Sequence, residues 1–210
     1  MSPAHQQRSS SSRPNLKFQQ PGSILNNLTR ARFHGNALLR CRRVHPGHWE
    51  GDLIKGARDA SAVGTLVERT TLFVVVAKMV NASAEAAVTG FSAVLNRIDA
   101  QRRLSLTYDQ GREMAQYERL SEITGVKVYF ADTLGPWQRG INENTNGLLR
   151  QYLPKGTDLS SFEQGDLDRI AWELNTQPRK SLRWKCPAEL FVPESFDFFQ
   201  HHHQLVALRT

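Results

Sequence analysis

Residues 104–109 read LSLTYD, a short run of alternating apolar and polar residues that ends in an aspartate. Alternation with a period of two predicts a half-buried β-strand, so Asp109 is expected at the carboxyl end of that strand. An earlier strand-like segment, residues 49–55 (WEGDLIK), carries a second aspartate, Asp52. Two strands that each deliver a carboxylate are the first indication of an acidic site in this chain.

A third acidic residue, Glu143, follows Asp109 after 33 intervening residues and lies near the start of a helical pattern over residues 137–152. Three carboxylates delivered by two strands and a helix can converge on a pair of Mg²⁺ ions. Such a site polarises a phosphodiester and prepares a water or a 3′-hydroxyl for in-line attack. The competing interpretation is a solvated ion-pair face, because Glu143 is flanked at helical spacing by Arg139 and Arg150. The helix considered alone favours the solvated face.

The remaining periodicity predicts an α/β domain with a mixed five-stranded sheet flanked by helices. Three strands come first, followed by helix, strand, helix, strand and helix, which is the element order of the ribonuclease-H-like fold. In that architecture the first and fourth strands are neighbours, so Asp52 and Asp109 are expected side by side. The run of residues 74–77 is apolar on both faces, which is typical of a central strand. The predicted strands cover residues 49–55, 61–69, 71–80, 104–108 and 126–130, and the predicted helices cover residues 84–98, 111–124 and 137–152.

The charge of the chain is unevenly distributed. Residues 1–49 contain eight basic and no acidic residues, which leaves 19 basic and 20 acidic residues in the rest of the chain. A basic arm of this kind can bind nucleic acid by neutralising phosphates. Residues 1–43 are predicted to be a disordered basic leader, with an organelle transit peptide or sequence upstream of a truncated reading frame as the alternatives. Residues 44–193 are then predicted to form the catalytic domain, and residues 194–210 a C-terminal tail.

Several classes of protein are disfavoured by composition. Two cysteines, Cys41 and Cys186, give neither a disulfide framework nor a Cys-x-x-Cys pair, which is typical of an intracellular protein. The histidines have no Cys or carboxylate partners at zinc spacing, so no zinc site is predicted. No apolar run approaches the roughly 20 residues that a membrane helix needs, so no membrane partner is predicted.

Four segments of the chain are motifs that occur together in one order. They are residues 48–54 (HWEGDLI), residues 61–70 (SAVGTLVERT), residues 106–111 (LTYDQG) and residues 136–157, which contain PWQRG, NENTNGLLRQY and PKGT. Together they resemble the DDE transposases of bacterial insertion sequences, specifically the insertion-sequence-30 family. The resemblance runs from about residue 44 to about residue 191, and a linked set of motifs is far more specific than a single Asp-x-Gly.

The resemblance implies a ribonuclease-H-like catalytic domain that cleaves and joins DNA with two Mg²⁺ ions, for which Mn²⁺ can substitute. It places the catalytic and metal-binding acids at Asp52, Asp109 and Glu143, with Asp52 expected to bridge both ions. It also implies that the partners are DNA, as element ends and target, and further copies of the chain in a homodimer or larger synaptic assembly in the bacterial cytoplasm. Residues 1–43 show no match to the N-terminal helix-turn-helix region of the family.

Basic and polar residues around Glu143 are the predicted nucleic-acid contacts: Arg139, Asn146, Arg150 and Lys155. Trp137 could stack on a base, although an aromatic residue at a helix start is more typical of core packing. A late basic cluster over residues 179–185, which includes a tryptophan, is interpreted equally well as a second DNA-contacting surface or as a solvated turn.

Two other functions stay open at this point. A retroviral-type integrase or a structure-specific nuclease could use the same three acids, and joining of 3′-hydroxyl ends would separate these from a transposase. The non-enzymatic alternative is an inactive remnant that binds DNA or pairs with a full-length transposase. Retention of all three acids argues against the remnant.

Overall fold

The computed structural model describes residues 45–109, 111–131, 140–194 and 196 of the 210-residue chain. Its centre is a five-stranded mixed sheet with the strand order β3-β2-β1-β4-β5. The strands are β1 (His48–Lys55), β2 (Ala62–Glu68), β3 (Val74–Met79), β4 (Ser105–Tyr108) and β5 (Lys127–Phe130). The first three form antiparallel pairs, whereas β4 and β5 run parallel to β1. The predicted α/β class and the predicted neighbourhood of the first and fourth strands are confirmed.

Helices cover both faces of this sheet. They are α1 (Ala84–Leu95), α2 (Tyr117–Thr124), α3 (Gly140–Leu149), α4 (Gln164–Asn175) and the short α5 (Pro187–Phe191). One apolar core includes Phe91 and Leu95 of α1 and Leu120 of α2, while a second includes Leu149 of α3 and Leu167 of α4. Burial of these apolar side chains on both faces explains why the strands are rich in Val, Ile and Leu.

Strand β3 lies at the edge of the sheet, so the prediction of a central strand over residues 74–77 is wrong. Its apolar character has another cause, because both of its faces are covered. Val74 and Val76 belong to the core under α3 and α4, whereas Ala77 and Met79 belong to the core under α1 and α2. An apolar run indicates that both faces of a strand are covered by other parts of the protein. It does not indicate whether the strand has a neighbouring strand on each side.

The open edge of β3 is closed by two side-chain amides of α4. Asn175 accepts from the backbone N–H of Val74 at 2.7 Å and donates to its carbonyl at 2.8 Å. Gln164 accepts from the N–H of Lys78 at 2.8 Å and donates to the carbonyl of Val76 at 2.7 Å. These bonds satisfy backbone groups that an edge strand otherwise offers to other chains. Helix α4 was not predicted, so this form of edge protection was not predicted either.

All three predicted helices have different bounds in the structure. The helix predicted over residues 84–98 is α1, which ends at Leu95. The segment predicted as a helix over residues 111–124 begins with a 3₁₀ turn at Arg112–Met114, and α2 starts only at Tyr117. The helix predicted over residues 137–152 is α3, which starts at Gly140. Trp137, Arg139, the leader over residues 1–43 and most of the predicted tail lie outside the described residues. Within the part of the chain that is described, no helix combines the length and hydropathy required to span a bilayer.

Candidate active site

Asp52 lies within β1, three residues before its end, and Asp109 directly follows β4. The parallel ladder pairs Trp49 with Leu106 and Glu50 with Thr107. Asp52 and Asp109 each follow two residues after the last of these pairs. Since parallel strands advance in register, the pairing that was predicted from element order brings the two aspartates side by side.

A glycine directly before Asp52 makes this close pairing possible. A Cβ atom on Gly51 would lie only 2.6 Å from Cδ2 of the Tyr108 ring. Tyr108 is fully buried in the core under α1 and α2, and it directly precedes Asp109. Because side chains alternate along a strand, Gly51 and Tyr108 meet on one face while Asp52 is directed to the other, where α3 lies.

Both oxygens of the Asp52 carboxylate are bound by donors. Oδ2 accepts from Nδ2 of Asn146 on α3 at 2.9 Å, and Oδ1 accepts from the backbone N–H of Leu53 at 2.9 Å. The half-buried Asn146 therefore fixes the orientation of this carboxylate, and the DNA contact that was predicted for it stays a prediction. Oδ1 of Asn146 is buried and has no hydrogen-bond partner among the described residues.

Asp109 and Glu143 differ in exposure. Asp109 is half-buried, and its Oδ1 accepts from the backbone N–H of Gly111 at 3.2 Å, which bends the chain away after β4. Glu143 is exposed on α3, one turn before Asn146. Leu148 packs on the opposite flank of α3, against the core under β2 and β3. Helical spacing therefore puts Glu143 on the flank of α3 that faces away from this core.

The described residues do not form a preassembled metal cage. Among them, no three His, Cys, Asp or Glu side chains are close enough together to hold an ion. The chemistry of the donors nevertheless fits a hard cation, because Asp52 and Asp109 supply carboxylate oxygens and Asn146 supplies a buried amide oxygen without a donor. Oxygen atoms of these kinds are the ligands that Mg²⁺ takes in proteins.

A buried acid next to the site was not identified from the sequence. Glu50 is only 2% exposed, and its Oε1 lies 3.1 Å from Nε of Arg69. Its Oε2 accepts from the backbone N–H of Asn142 at 3.3 Å, in the first turn of α3. A carboxylate at this position also complements the positive end of the helix dipole. Glu50 therefore ties β1, two residues before Asp52, to α3, one residue before Glu143.

The sequence contains one indication that Glu50 has a structural role. Glu50 lies two residues before Asp52, and the other residues between Trp49 and Ile54 are apolar or glycine. Burial of a charge in such a strand requires a partner. The partners, Arg69 and the first turn of α3, belong to predicted elements, but the sequence pattern does not show that these elements meet at Glu50.

The predicted DNA contacts have different environments. Arg150 donates to the backbone carbonyl of Lys55, with N···O distances of 3.3 and 3.4 Å, and thus ties the end of α3 to the end of β1. Lys155 is exposed beyond α3. Arg139 lies outside the described residues. Gly147 is exposed, and a Cβ atom there would meet no atom within 4 Å, so the surface of α3 near Glu143 is open to a large ligand.

Comparison with known proteins relates this chain to transposases. The chain is 59% identical over 150 residues to the transposase for insertion sequence element IS1086 of Cupriavidus metallidurans, a match that covers 71% of this chain and 44% of the relative. It is 42% identical over 144 residues to the transposase InsI for element IS30A of Escherichia coli, covering 69% of this chain and 37% of the relative. The chain is related to the insertion-sequence-30 transposases.

The similarity to these transposases extends over only part of their length. The chain spans less than half the length of the two curated relatives that it matches. A more distant relative, the transposase for element IS4351 of Bacteroides fragilis, is 36% identical over 149 residues, which is 69% of this chain and 44% of that protein. No protein-family model matches the chain.

Solved structures independently identify the fold. The integrase catalytic core domain of HTLV-2, solved in complex with magnesium, superposes with a TM-score of 0.52 at 17% identity, covering 71% of this chain and 99% of that one. The catalytic core domain of BIV integrase gives a TM-score of 0.53 at 16% identity, covering 71% and 96%. At such low identity the similarity establishes the architecture, and the predicted ribonuclease-H-like fold is confirmed.

Proposed function

We propose that this chain carries the catalytic core of an insertion-sequence transposase, which cleaves DNA and joins a 3′-hydroxyl end to a target strand. The observation that carries the proposal is the parallel pairing of β1, which contains Asp52, with β4, which Asp109 directly follows. The relationship to transposases over about 70% of the chain supports the same reaction.

In this proposal Asp52, Asp109 and Glu143 hold two divalent cations. Bound Mg²⁺, or Mn²⁺ in its place, would supply charge neutralisation at the scissile phosphate and activation of the attacking oxygen. The attacking oxygen, from water or from a 3′-hydroxyl, loses its proton to solvent and forms a bond to phosphorus as the bond to the leaving 3′-oxygen breaks. The leaving oxygen keeps the electron pair and takes up a proton from solvent to become a 3′-hydroxyl. No covalent protein–DNA intermediate is required, so no Ser or Tyr nucleophile is assigned.

The chain contributes positioning as well as charge. Asn146 holds Oδ2 of Asp52, and Glu50 holds the first turn of α3. The side chains of Arg139, Arg150 and Lys155 are proposed to contact DNA phosphates around Glu143. Because joining two element ends requires two active sites, we propose that a homodimer or a larger assembly acts in the bacterial cytoplasm, where the DNA is.

The test uses the purified chain with a supercoiled plasmid and a labelled duplex that ends in a 3′-hydroxyl. The proposal predicts cleavage and covalent joining of the label to plasmid with Mg²⁺ or Mn²⁺, and neither product when the metal is removed by EDTA. Nicking without joining would instead identify another ribonuclease-H-like nuclease. DNA binding without either product in the presence of metal would identify an inactive remnant.

A second expectation concerns the amide that orients Asp52. Replacing Asn146 by alanine removes the donor to Oδ2, and loss of a group that orients a metal ligand typically lowers activity or metal affinity about 10–100-fold. The Mg²⁺ concentration required for half-maximal cleavage should rise as well. Gln151→Ala, an exposed change just beyond the same helix, is the matched control. An unchanged Mg²⁺ dependence in Asn146→Ala would assign the amide a purely structural role.

A further inference from the structure

A compact basic loop between α4 and α5 is not used by the proposed active site. Residues 179–185 read RKSLRWK, and we refer to them as the 179–185 loop. The backbone N–H of Arg179 donates to the carbonyl of Lys185 at 3.0 Å, and the N–H of Trp184 donates to the carbonyl of Arg179 at 2.9 Å. Three further backbone bonds lie within the loop, from Leu182, Arg183 and Lys185. Its own hydrogen bonds therefore define its shape.

Two adjacent residues of this loop have a left-handed backbone. Arg183 has φ of 56° and Trp184 has φ of 66°, a conformation that non-glycine residues adopt only at a cost and that is least suited to bulky side chains. Two anchors hold the loop in place. Arg179 donates to the carbonyl of Leu174 at 3.1 Å, and the buried Sγ of Cys186 donates to the carbonyl of Thr176 at 3.0 Å. Burial raises the pKa of the Cys186 thiol, which keeps it protonated for this bond.

The strained backbone holds a large aromatic ring in solvent. Trp184 is 69% exposed, whereas Trp49 is fully buried and Trp172 is 36% exposed. A folded chain would gain by burying an indole, and strain that persists against such a gain commonly marks a functional segment. The exposed ring is therefore a candidate contact for a ligand with a flat apolar surface.

Positive charge surrounds the ring. Four of the seven residues in the 179–185 loop are basic and none is acidic. Arg179 points inward to Leu174, and Lys185 pairs with Glu189 at 2.8 Å. Lys180 and Arg183 are exposed, and neither forms an ion pair with any described residue. Two unneutralised cations beside an aromatic ring match the chemistry of a nucleotide, which has anionic phosphates next to a flat base.

The loop also lies close to the helix of the proposed active site. A cleft of about 470 Å³ separates Ser181 and Leu182 of the loop from Gly140, Ile141 and Asn144 at the start of α3. The cleft is also lined by Leu148, so the loop faces the flank of α3 that is opposite to Glu143.

We propose that the 179–185 loop binds an unpaired nucleotide of DNA, with the indole of Trp184 stacked on the base and Lys180 and Arg183 bound to the flanking phosphates. The partner is an unpaired base because the faces of paired bases are covered by their neighbours in the duplex, whereas a frayed or single-stranded end exposes them. The proposal rests on the proposed function, since a reaction that breaks DNA strands supplies such ends.

The experiment measures binding of a labelled duplex with a single-stranded overhang and of a blunt duplex of the same length, both in EDTA so that no cleavage occurs. Trp184→Ala should weaken binding of the overhang duplex by about tenfold, the size expected when one base stack is removed, and should leave the blunt duplex nearly unchanged. Trp184→Phe should restore most of the difference, because a phenyl ring still stacks.

The charges are tested by salt dependence. Changing both Lys180 and Arg183 to alanine should reduce the slope of log affinity against log salt by about 0.7–0.9 for each phosphate that the variant no longer neutralises. The matched control changes Arg119 and Lys127 to alanine, two exposed cations of α2 and β5 that lie away from the loop. Near-ultraviolet circular dichroism of each variant verifies that the fold is retained.

Several results would overturn the proposal. If Trp184→Ala bound the overhang duplex and the blunt duplex as tightly as the unmodified chain does, the proposed contact with a base would be ruled out. A change of oligomeric state in Trp184→Ala, with DNA binding unaltered, would make the loop a protein contact. Either result could accompany normal cleavage and joining, in which case the transposase function stands. Trp184-dependent binding of overhangs by a chain that neither cleaves nor joins DNA would contradict the function and leave the loop assignment intact.

Discussion

Replacing Asp109 by asparagine should lower metal-dependent cleavage and joining of DNA by about 10²–10³-fold or more, the loss expected when one group that stabilises transition-state charge is removed. The same result is expected for Asp52→Asn and for Glu143→Gln. Asparagine keeps the shape and the oxygen of the side chain but loses the negative charge, so the substitution tests the charge itself. Asp168→Asn on α4, where an exposed carboxylate pairs with Arg97, is the matched control.

A stability measurement separates the role in metal binding from a general effect on folding. Adjacent carboxylates repel each other when no cation is present, so Asp109→Asn should melt at a higher temperature than the unmodified chain in EDTA. Adding Mg²⁺ should raise the melting temperature of the unmodified chain, because a ligand that binds only the folded state stabilises it. The variant should show little of this increase. A normal Mg²⁺ response in Asp109→Asn, or cleavage at the normal rate, would contradict the assignment.

The sheet and the position of two acids could be predicted from sequence because they depend on local signals. Strand alternation marks β1 and β4, whereas their neighbourhood, and with it the expected pairing of Asp52 with Asp109, follows mainly from the acids and from the family resemblance. The edge position of β3 could not be predicted in this way. Its open edge is closed by Asn175, which lies 101 residues after Val74 along the chain. An amide on a helix has no sequence pattern that reveals which backbone groups it will bind.

Helix α3 is a second example of contacts that a sequence pattern does not predict. Spacing correctly groups Glu143, Asn146 and Arg150 on one stripe, but spacing does not say how far this stripe turns towards the sheet. In the structure Asn146 and Arg150 are half-buried and contact Asp52 and the Lys55 carbonyl, while Glu143 is exposed. The stripe is thus partly a packing surface. Only the tertiary contacts separate a residue that orients a ligand from one that faces DNA.

The second prediction with a large effect concerns the contribution of Glu50 to the stability of the fold. Changing Glu50 to alanine leaves Arg69, whose side chain is only 14% exposed, without its partner and leaves the N–H of Asn142 without its acceptor. Removal of one member of a buried ion pair typically costs about 3–5 kcal/mol of unfolding free energy, whereas loss of an exposed pair costs under about 1 kcal/mol. Urea or thermal unfolding measures the difference. Arg97→Ala, which removes the exposed pair with Asp168, is the control.

The double variant Glu50→Leu with Arg69→Leu then distinguishes charge burial from helix positioning. Replacing both charges by apolar side chains removes the uncompensated charge, so most of the stability should return. Activity should not return, because the first turn of α3 still lacks its carboxylate, and a displacement of about 1 Å at a reacting group can cost about 10²-fold in rate. Glu50→Gln keeps an acceptor for the Asn142 N–H and should retain more activity than the double variant. Full activity in a stable double variant would show that Glu50 does not position the helix that carries Glu143.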